Sequence, residues 1–399
     1  MIWQILFATL LGIFAGTISG LAPGIHVNLV SVLLLTAAPF LLQFADPLVL
    51  VVFIVSMAIT HSFLDFLPTT YLGAPDSDTA LAVLPAHKLL LHGRGFEAVK
   101  LSAIGCMLSL VLAAMLIPLT LPALQKIAAY LQPHLGIVLG LVIAFMIFKD
   151  EHWRWNLTLF LLSSSLGLIV LNLPLKDPLF PMLSGLFGIS TLLLSLNDAI
   201  RLPHQMQTET LEIQRPKILK SVAAGTVTGF LTAFLPGLGP AQGAVLASQF
   251  VRGLGDYGFL ILTGAMGTVN FAFSLGTWAM LDKARNGAIA SAMELQGILS
   301  QNDLLILIGV MLFAGGISCW LMLRLARMFA KWIVLLPYRI VVLIVLAGII
   351  LLVGLLTGPL GLVVLMVSTA IGMLAPLQSI PRNHAMGCLL MPVMLFFLL

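Results

Sequence analysis

The chain has 399 residues, is 60% hydrophobic and only 9% charged, and has a mean hydropathy of +1.12. So few charged side chains cannot cover a soluble surface, and the net charge of +4 indicates basic loops and excludes a nucleic-acid-binding surface. The apolar runs are long and lack the alternation of barrel strands, so the sequence predicts an all-α polytopic integral membrane protein in the plasma membrane.

We expect about ten to twelve helices or half-helices, arranged in two halves. The first half, residues 1–200, has apolar segments at 3–22, 26–44, 47–67, 101–121, 135–148, 156–173 and 179–196, with a polar stretch at 68–100. Residues 201–220 form a polar linker. The second half, residues 221–399, has segments near 218–235, 240–252, 257–280, 304–328, 338–357, 359–376 and 384–399, and residues 282–302 are expected at the interface or in a cavity.

One stretch occurs in both halves, 213 positions apart. Its first copy contains Gly12, Gly16, Pro23 and Gly24, which align with Gly225, Gly229, Pro236 and Gly237. A constant offset indicates a duplication. The sequence therefore predicts two structurally repeated halves, and an inverted repeat if each half crosses the membrane an odd number of times.

The two Pro-Gly pairs predict broken or re-entrant helices. Proline stops a helix, and backbone groups left unpaired in lipid are costly unless they line a cavity. The half-helix after each break would point its partly positive N-terminus into that cavity, where an anion can be held. Paired breaks are thus a pointer to a transport site near the bilayer midplane, although two proline kinks that only aid packing are the simpler alternative.

The predicted anion site combines backbone amides with side-chain donors. Residues 24–26 and 237–239 would supply the amides, and Asn28 and Gln242 the side chains. The full set of candidate residues around the two breaks is Pro23, Gly24, Ile25, His26, Asn28, Pro236, Gly237, Leu238, Gly239 and Gln242. Lys283 and Arg285 are candidate charge partners, but an interfacial anchor is the simpler role for both.

His61 and Asp65 are four residues apart, so on one helix they share a face. Either could hold a coupling Na⁺ or proton, because an acid inside an apolar span usually has a function. Alternatively, Asp65 lies at a helix end in water, close to Pro68. Asp76 to Thr79 are expected to cap a short helix, and Lys88, His92 and Arg94 to form an interfacial basic face.

The repeated Gly-x-x-x-Gly and Pro-Gly elements, together with Gly93-Arg94-Gly95-Phe-Glu97-Ala98, resemble the large membrane subunit of tripartite tricarboxylate transporters. Gly264 to Phe271 lies where that family carries an Asn-Asn stretch, so the resemblance adds Asn270 to the site. It implies secondary uptake of a small di- or tricarboxylate with a small membrane subunit and an extracytoplasmic binding protein. A homodimer is a further expected assembly.

Two alternatives remain open at this point. The same breaks could hold the phosphate of a polyprenyl-phosphate lipid carrier and move it across the bilayer. Gly253-Leu-Gly-Asp256 resembles the Gly-x-Gly-Asp motif of intramembrane aspartyl proteases, but no Tyr-Asp pair exists for the second acid, so a turn with Asp256 capping the next helix is favoured. We expect that the chain is not an enzyme and holds no resident cofactor. We also expect no metal site, because the three cysteines are far apart and lack metal-ligand spacing.

Overall fold

The computed structural model describes residues 1–22, 27–74, 78–131, 134–149, 151–196, 202–207, 210–211, 213–234, 239–335 and 338–398. Within these ranges the regular structure is helical, and no strand is formed. This agrees with the composition, because in lipid a helix satisfies its backbone groups within one segment.

The helices of the first half begin with the pair that flanks the first Pro-Gly break. They are α1 (Ile2–Leu21), α2 (Val27–Leu41), α3 (Pro47–Leu64), α4 (Phe66–Tyr71), α5 (Val83–Leu91), α6 (Gly95–Leu131), α7 (Leu135–Phe148), α8 (Trp153–Val170), α9 (Leu179–Leu183) and α10 (Ser190–Leu196). A π-helical turn, Ser184–Ile189, joins α9 to α10.

The second half starts with the pair that flanks the second break. Its helices are α11 (Arg215–Phe234), α12 (Pro240–Phe250), α13 (Gly255–Leu281), α14 (Gly287–Gln296), α15 (Gln301–Trp332), α16 (Tyr338–Leu377) and α17 (Gly387–Leu398). Gly358 interrupts α16 with a φ of 71°, just before Pro359, where the sequence predicts two segments. A 3₁₀ turn, Arg382–Met386, precedes α17.

Six helical segments in the described ranges are long and apolar enough to cross a membrane. They are Ile2–Leu21, Pro47–Tyr71, Gly95–Thr120, Gly255–Leu281, Gln301–Trp332 and Arg339–Leu377. Shorter apolar helices at Gly136–Phe148, Leu179–Leu194 and Arg382–Leu398 accompany them. The prediction of a multi-pass, all-helical membrane protein is therefore confirmed.

The described part of the stretch at 68–100 is more helical and more buried than its polar sequence suggests. Thr69 and Tyr71 are buried in α4, and the Tyr71 hydroxyl donates to the Ala326 carbonyl at 2.9 Å. Helix α5 has Ala82 as its N-cap, with no side-chain bond, and two of the four residues expected to cap a helix, Asp76 and Ser77, lie outside the described residues. Thr79 instead lies 2.9 Å from the Thr69 hydroxyl, so its oxygen is engaged elsewhere.

The described part of the central linker docks on the first half. Helix α11 already begins at Arg215, inside the range 201–220. Gln205 is buried, accepts from the Gly95 amide at 3.0 Å and donates to the Leu90 carbonyl at 3.0 Å. Because buried amides need partners, these bonds hold the linker against the turn between α5 and α6.

The two halves pack across each other at the centre of the molecule. Helix α6 of the first half runs along α13 of the second, and α15 runs along α3. Gly105 and Gly264 allow this contact: a Cβ at Gly105 would overlap the Ile261 carbonyl, and one at Gly264 would overlap the Ser102 carbonyl. Small residues at such crossings let helix backbones approach closely in a membrane.

The glycines of the repeated stretch make corresponding contacts in each half. A Cβ at Gly12 on α1 would lie 2.5 Å from the Phe53 carbonyl oxygen on α3. A Cβ at Gly225 on α11 would lie 2.7 Å from the Leu262 carbonyl oxygen on α13. The glycines are 213 positions apart and the carbonyls 209, so the same packing recurs at nearly the same offset.

A second pair of corresponding contacts lies further along each half. Gly185 in the π-helical turn packs on α16, where an added Cβ would lie 2.8 Å from the Leu365 carbonyl oxygen. Gly387 at the start of α17 packs on α8, where an added Cβ would lie 2.6 Å from the Phe160 carbonyl oxygen. These are local correspondences; the repeat of the complete halves and their inverted arrangement stay predictions.

Candidate functional site

The structure places helix ends on both sides of each predicted break. Helix α1 ends at Leu21 and α2 begins at Val27, while α11 ends at Phe234 and α12 begins at Pro240. The intervening candidates lie outside the described residues: Pro23, Gly24, Ile25, His26, Pro236, Gly237 and Leu238.

Next to the first break, His61 on α3 meets Ser19 on α1. The His61 Nδ1 lies 3.1 Å from Ser19 Oγ, and both residues are buried. Ser19 Oγ in turn donates to the Gly16 carbonyl at 3.3 Å. Because the single hydroxyl proton is directed at that carbonyl, the network assigns the proton of the His61–Ser19 bond to Nδ1.

Next to the second break, Asn270 on α13 meets Thr232 on α11. The Asn270 side-chain amide donates from Nδ2 to Thr232 Oγ1 at 3.0 Å. Thr232 Oγ1 donates to the Gly229 carbonyl at 3.0 Å. The order of groups is again a side-chain N–H, a hydroxyl and a backbone carbonyl, and we call each such series a relay.

The two relays occupy corresponding positions in the sequence. Thr232 follows Ser19 by 213 residues, as Gly229 follows Gly16, and Asn270 follows His61 by 209. Each hydroxyl residue precedes the proline of its break by four residues, or about one helical turn. The sequence singled out His61 and Asn270 but missed their hydroxyl partners, whose signal was a Ser and a Thr at matching places in the repeated stretch.

Gln242 caps its own helix. It is buried on the first turn of α12, and its Oε1 accepts from the Gly239 amide at 2.9 Å. The Gly239 amide, predicted to receive an anion, is therefore already bonded in this state. An anion that used this amide would have to displace the Gln242 oxygen, which would leave the Gln242 NH₂ group as an additional donor.

Asn28 lies against the start of α14. A Cβ added at Gly287 would come within 2.8 Å of the Asn28 Cγ atom. Segment 282–302 thus reaches the helix that follows the first break.

Two residues before Gly287, Arg285 is half-buried, and burial lowers its pKa. Its Nε is buried and has no hydrogen-bond partner among the described residues.

Asp65 lies inside the protein and not at a water-exposed helix end. It is only 5% exposed and sits at the junction of α3 and α4, within the candidate span Pro47–Tyr71. One helical turn separates it from His61. This burial excludes the alternative that Asp65 lies at a helix end in water, and His61 and Asp65 stay candidates for coupling. The described residues contain no group of three side chains suited to a metal ion.

Within the part of the chain that the structure describes, Asp256 pairs with a lysine and not with a second acid. Its Oδ2 lies 2.8 Å from Lys88 Nζ, and both side chains are substantially exposed. This bond and the charge of Asp256 raise the pKa of Lys88. The N-cap of α13 is Leu254, so Asp256 lies in the first turn of the helix and does not cap it. The predicted capping role of Asp256 is therefore wrong.

The Gly-Arg-Gly-x-Glu-Ala element folds into the turn between α5 and α6 and the first turn of α6. Arg94 donates to Glu97 through Nε at 2.6 Å and Nη2 at 3.1 Å, and Glu97 is only 2% exposed. Gly93 adopts a φ of 76°, which disfavours any side chain. Arg94, predicted as part of a basic face, is therefore neutralised by a buried carboxylate.

Comparison with known proteins identifies the family. The family model described as "Tripartite tricarboxylate transporter TctA family" matches residues 6–387. An uncharacterized protein of Methanocaldococcus jannaschii is 27% identical over 399 residues, covering 98% of each chain. No solved structure matches. The family model spans nearly the whole chain, and the protein therefore belongs to the tripartite tricarboxylate transporter TctA family.

Proposed function

We propose that this chain is the permease component of a secondary-active transporter for a small organic anion, most simply a di- or tricarboxylate. Support comes from the family, which is one of tricarboxylate transporters, and from the helix ends that bracket both Pro-Gly stretches. The observation that carries the proposal is the pair of matching relays, Ser19 with His61 and Thr232 with Asn270.

The relays suit an anion site because they present donors. In each relay the hydroxyl proton is used by a carbonyl, so the hydroxyl accepts and fixes the direction of the nitrogen donor. Asn270 has a second amide hydrogen, and the second ring nitrogen of His61 becomes a donor only when the imidazole is protonated. In a low-dielectric site, donors held in place bind a carboxylate without reorganising. Backbone amides at the two breaks would complete the site.

The two relays differ in one chemically important way. Asn270 cannot carry a charge, whereas a histidine side chain can bind or release a proton. Asp65 lies one turn beyond His61 on the same face. We therefore place coupling to a proton or Na⁺ gradient in the first half, at His61 and Asp65, and substrate recognition in both halves.

Transport would proceed by rocking of one half against the other around this site. The contacts between α6 and α13 and between α15 and α3 form the surface across which this motion would occur. The family's tripartite description suggests two further components, and we propose that a small membrane subunit and an extracytoplasmic binding protein deliver the substrate at the plasma membrane.

Uptake and binding together test this function. The purified chain is assayed in proteoliposomes for exchange of labelled mono-, di- and tricarboxylates, and in detergent for stabilisation by the same compounds. Asn270→Ala, Gly24→Ala and Gly237→Ala should lose both signals. Thr228→Val is the matched control, because this hydroxyl bonds only to carbonyls of its own helix, at Ala224 and Gly225.

Two results would overturn the proposal. Normal exchange by all three site variants would mean that the breaks do not hold the substrate. Flipping of a short-chain polyprenyl phosphate, with no response to any carboxylate, would replace the permease by a lipid-carrier translocase on the same architecture.

A further inference from the structure

A cavity of about 590 Å³ opens on the surface, away from both relays. It lies between α5, the end of α12, the start of α13 and the 3₁₀ turn before α17. Helix α12 contributes from Val245 onward, three residues and just under one turn beyond Gln242, and none of the relay residues lines the cavity. The cavity therefore shares no lining residue with the proposed transport site.

Four cationic side chains from four separate segments converge on this cavity: Lys88, Lys149, Arg252 and Arg382. Among its described lining residues, Asp256 is the one acid, and its carboxylate is bonded to Lys88 at 2.8 Å. Within the described ranges, no carboxylate forms an ion pair with the other three cations. Like charges held together repel one another, so the cavity has an unbalanced positive charge that favours an anion.

Arg382 is held in place by neutral oxygens. Its Nη1 donates to the Phe187 carbonyl at 3.3 Å, to Ser190 Oγ at 3.4 Å and to Thr191 Oγ1. All of these bonds use one nitrogen of the guanidinium fork. Burial lowers the pKa of Arg382 to about 10, so the group remains charged at neutral pH. An oriented arginine of this kind is suited to a phosphate.

The walls of the same cavity are apolar. Leu81, Leu84, Val245 and Phe259 line it, and Leu84 is 49% exposed at its edge. A free phosphate or a small carboxylate would make no use of these walls. A molecule with an anionic head and an apolar tail would use both the cations and the walls.

We propose that this cavity binds an anionic phospholipid of the surrounding bilayer. Its phosphate lies among Lys149, Arg252 and Arg382, and an acyl chain runs along Leu84 and Phe259. The bilayer supplies such lipids at high local concentration, and basic pockets between membrane helices are suited to their headgroups.

Native mass spectrometry of the detergent-purified chain tests this site, with phosphatidylglycerol, phosphatidylcholine and soluble glycerol 3-phosphate as the three probes. The variant Lys149→Gln/Arg252→Gln removes two exposed cations of the cavity. Its matched control, Arg154→Gln/Lys176→Gln, removes two exposed cations that do not line the cavity. Thermal unfolding without lipid checks that both double variants fold like the wild type.

We expect wild type and control to retain phosphatidylglycerol in preference to phosphatidylcholine. The cavity variant should bind phosphatidylglycerol on the order of 25-fold more weakly, at about fivefold for each cation removed. Equal binding by the cavity variant and the control would overturn the site. Binding of glycerol 3-phosphate as tight as that of the lipid would overturn the assignment of the occupant.

Discussion

His61 and Asn270 hold the same position in the two relays. His61 lies on α3, which packs against α1, and Asn270 lies on α13, which packs against α11. Each side chain donates to a hydroxyl one turn before the proline of its break, at 3.1 and 3.0 Å. Histidine and asparagine differ in charge and size but share a nitrogen donor at this place. The requirement common to both halves is therefore a directed N–H group.

His61→Asn should separate the donor role from titration. The variant can keep a bond to Ser19 but cannot bind a proton, so we expect carboxylate exchange to persist with a weaker dependence on pH than in the wild type. His61→Ala should abolish exchange. The measurement is the initial exchange rate in proteoliposomes as a function of pH. An unaltered pH profile in His61→Asn would remove His61 from coupling.

Gly105→Ala should destabilise the protein by about 1–3 kcal/mol, because the new methyl group would overlap the Ile261 carbonyl and force α6 from α13. Gly267→Ala on α13 is the control, since nothing lies within 4 Å of a Cβ added there. Thermal unfolding in detergent compares the two variants. Equal melting temperatures would show that the contact between α6 and α13 accommodates the added methyl group without loss of stability.

Two ion pairs of the α5–α6 region should differ sharply in importance. Glu97→Gln removes a buried carboxylate that bonds Arg94 at 2.6 Å, and we expect a loss of stability of about 3–5 kcal/mol. Asp256→Asn breaks the exposed pair with Lys88 and should change stability by less than about 1 kcal/mol. Denaturation of both variants at two salt concentrations checks this, and a salt-sensitive effect at Glu97 would contradict its burial.

Gln205→Ala should loosen the central linker. It removes a buried side chain that bonds Gly95, Leu90 and Pro203, so we expect faster cleavage of residues 202–214 in limited proteolysis. The control is Gln207→Ala, whose side chain donates a single exposed bond of 3.3 Å to the Arg327 carbonyl. If both variants are cleaved at the wild-type rate, the linker is held by its apolar contacts and not by Gln205.

The helices that flank the breaks were predictable from sequence because proline and glycine act locally. Helix α16 is interrupted at Gly358, just before Pro359, and both broken pairs end within a few residues of the predicted boundaries. Residues 68–100 were not predictable, since Thr69 and its neighbours have the composition of a loop. Their burial depends on contacts with distant helices, such as that of Tyr71 with Ala326.

The donors of the candidate site were partly predictable, and their partners were not. A histidine or an asparagine in an apolar span attracts attention because burying it is costly. A serine or a threonine does not, because its hydroxyl can bond to the preceding turn of its own helix. Ser19 and Thr232 do this as well, and only the packing of α1 on α3 and of α11 on α13 shows that each also accepts from a neighbouring helix.

The central claim is that the two relays serve one carboxylate site, and a double-mutant cycle on carboxylate affinity tests it most directly. The cycle combines Ser19→Ala with Thr232→Val and uses Thr17→Val and Thr228→Val as controls, because both control hydroxyls bond only within their own helices. We predict that each site variant weakens binding and that their effects are coupled by about 0.5 kcal/mol or more. Wild-type affinity in both single variants, or strictly additive losses, would contradict a shared site.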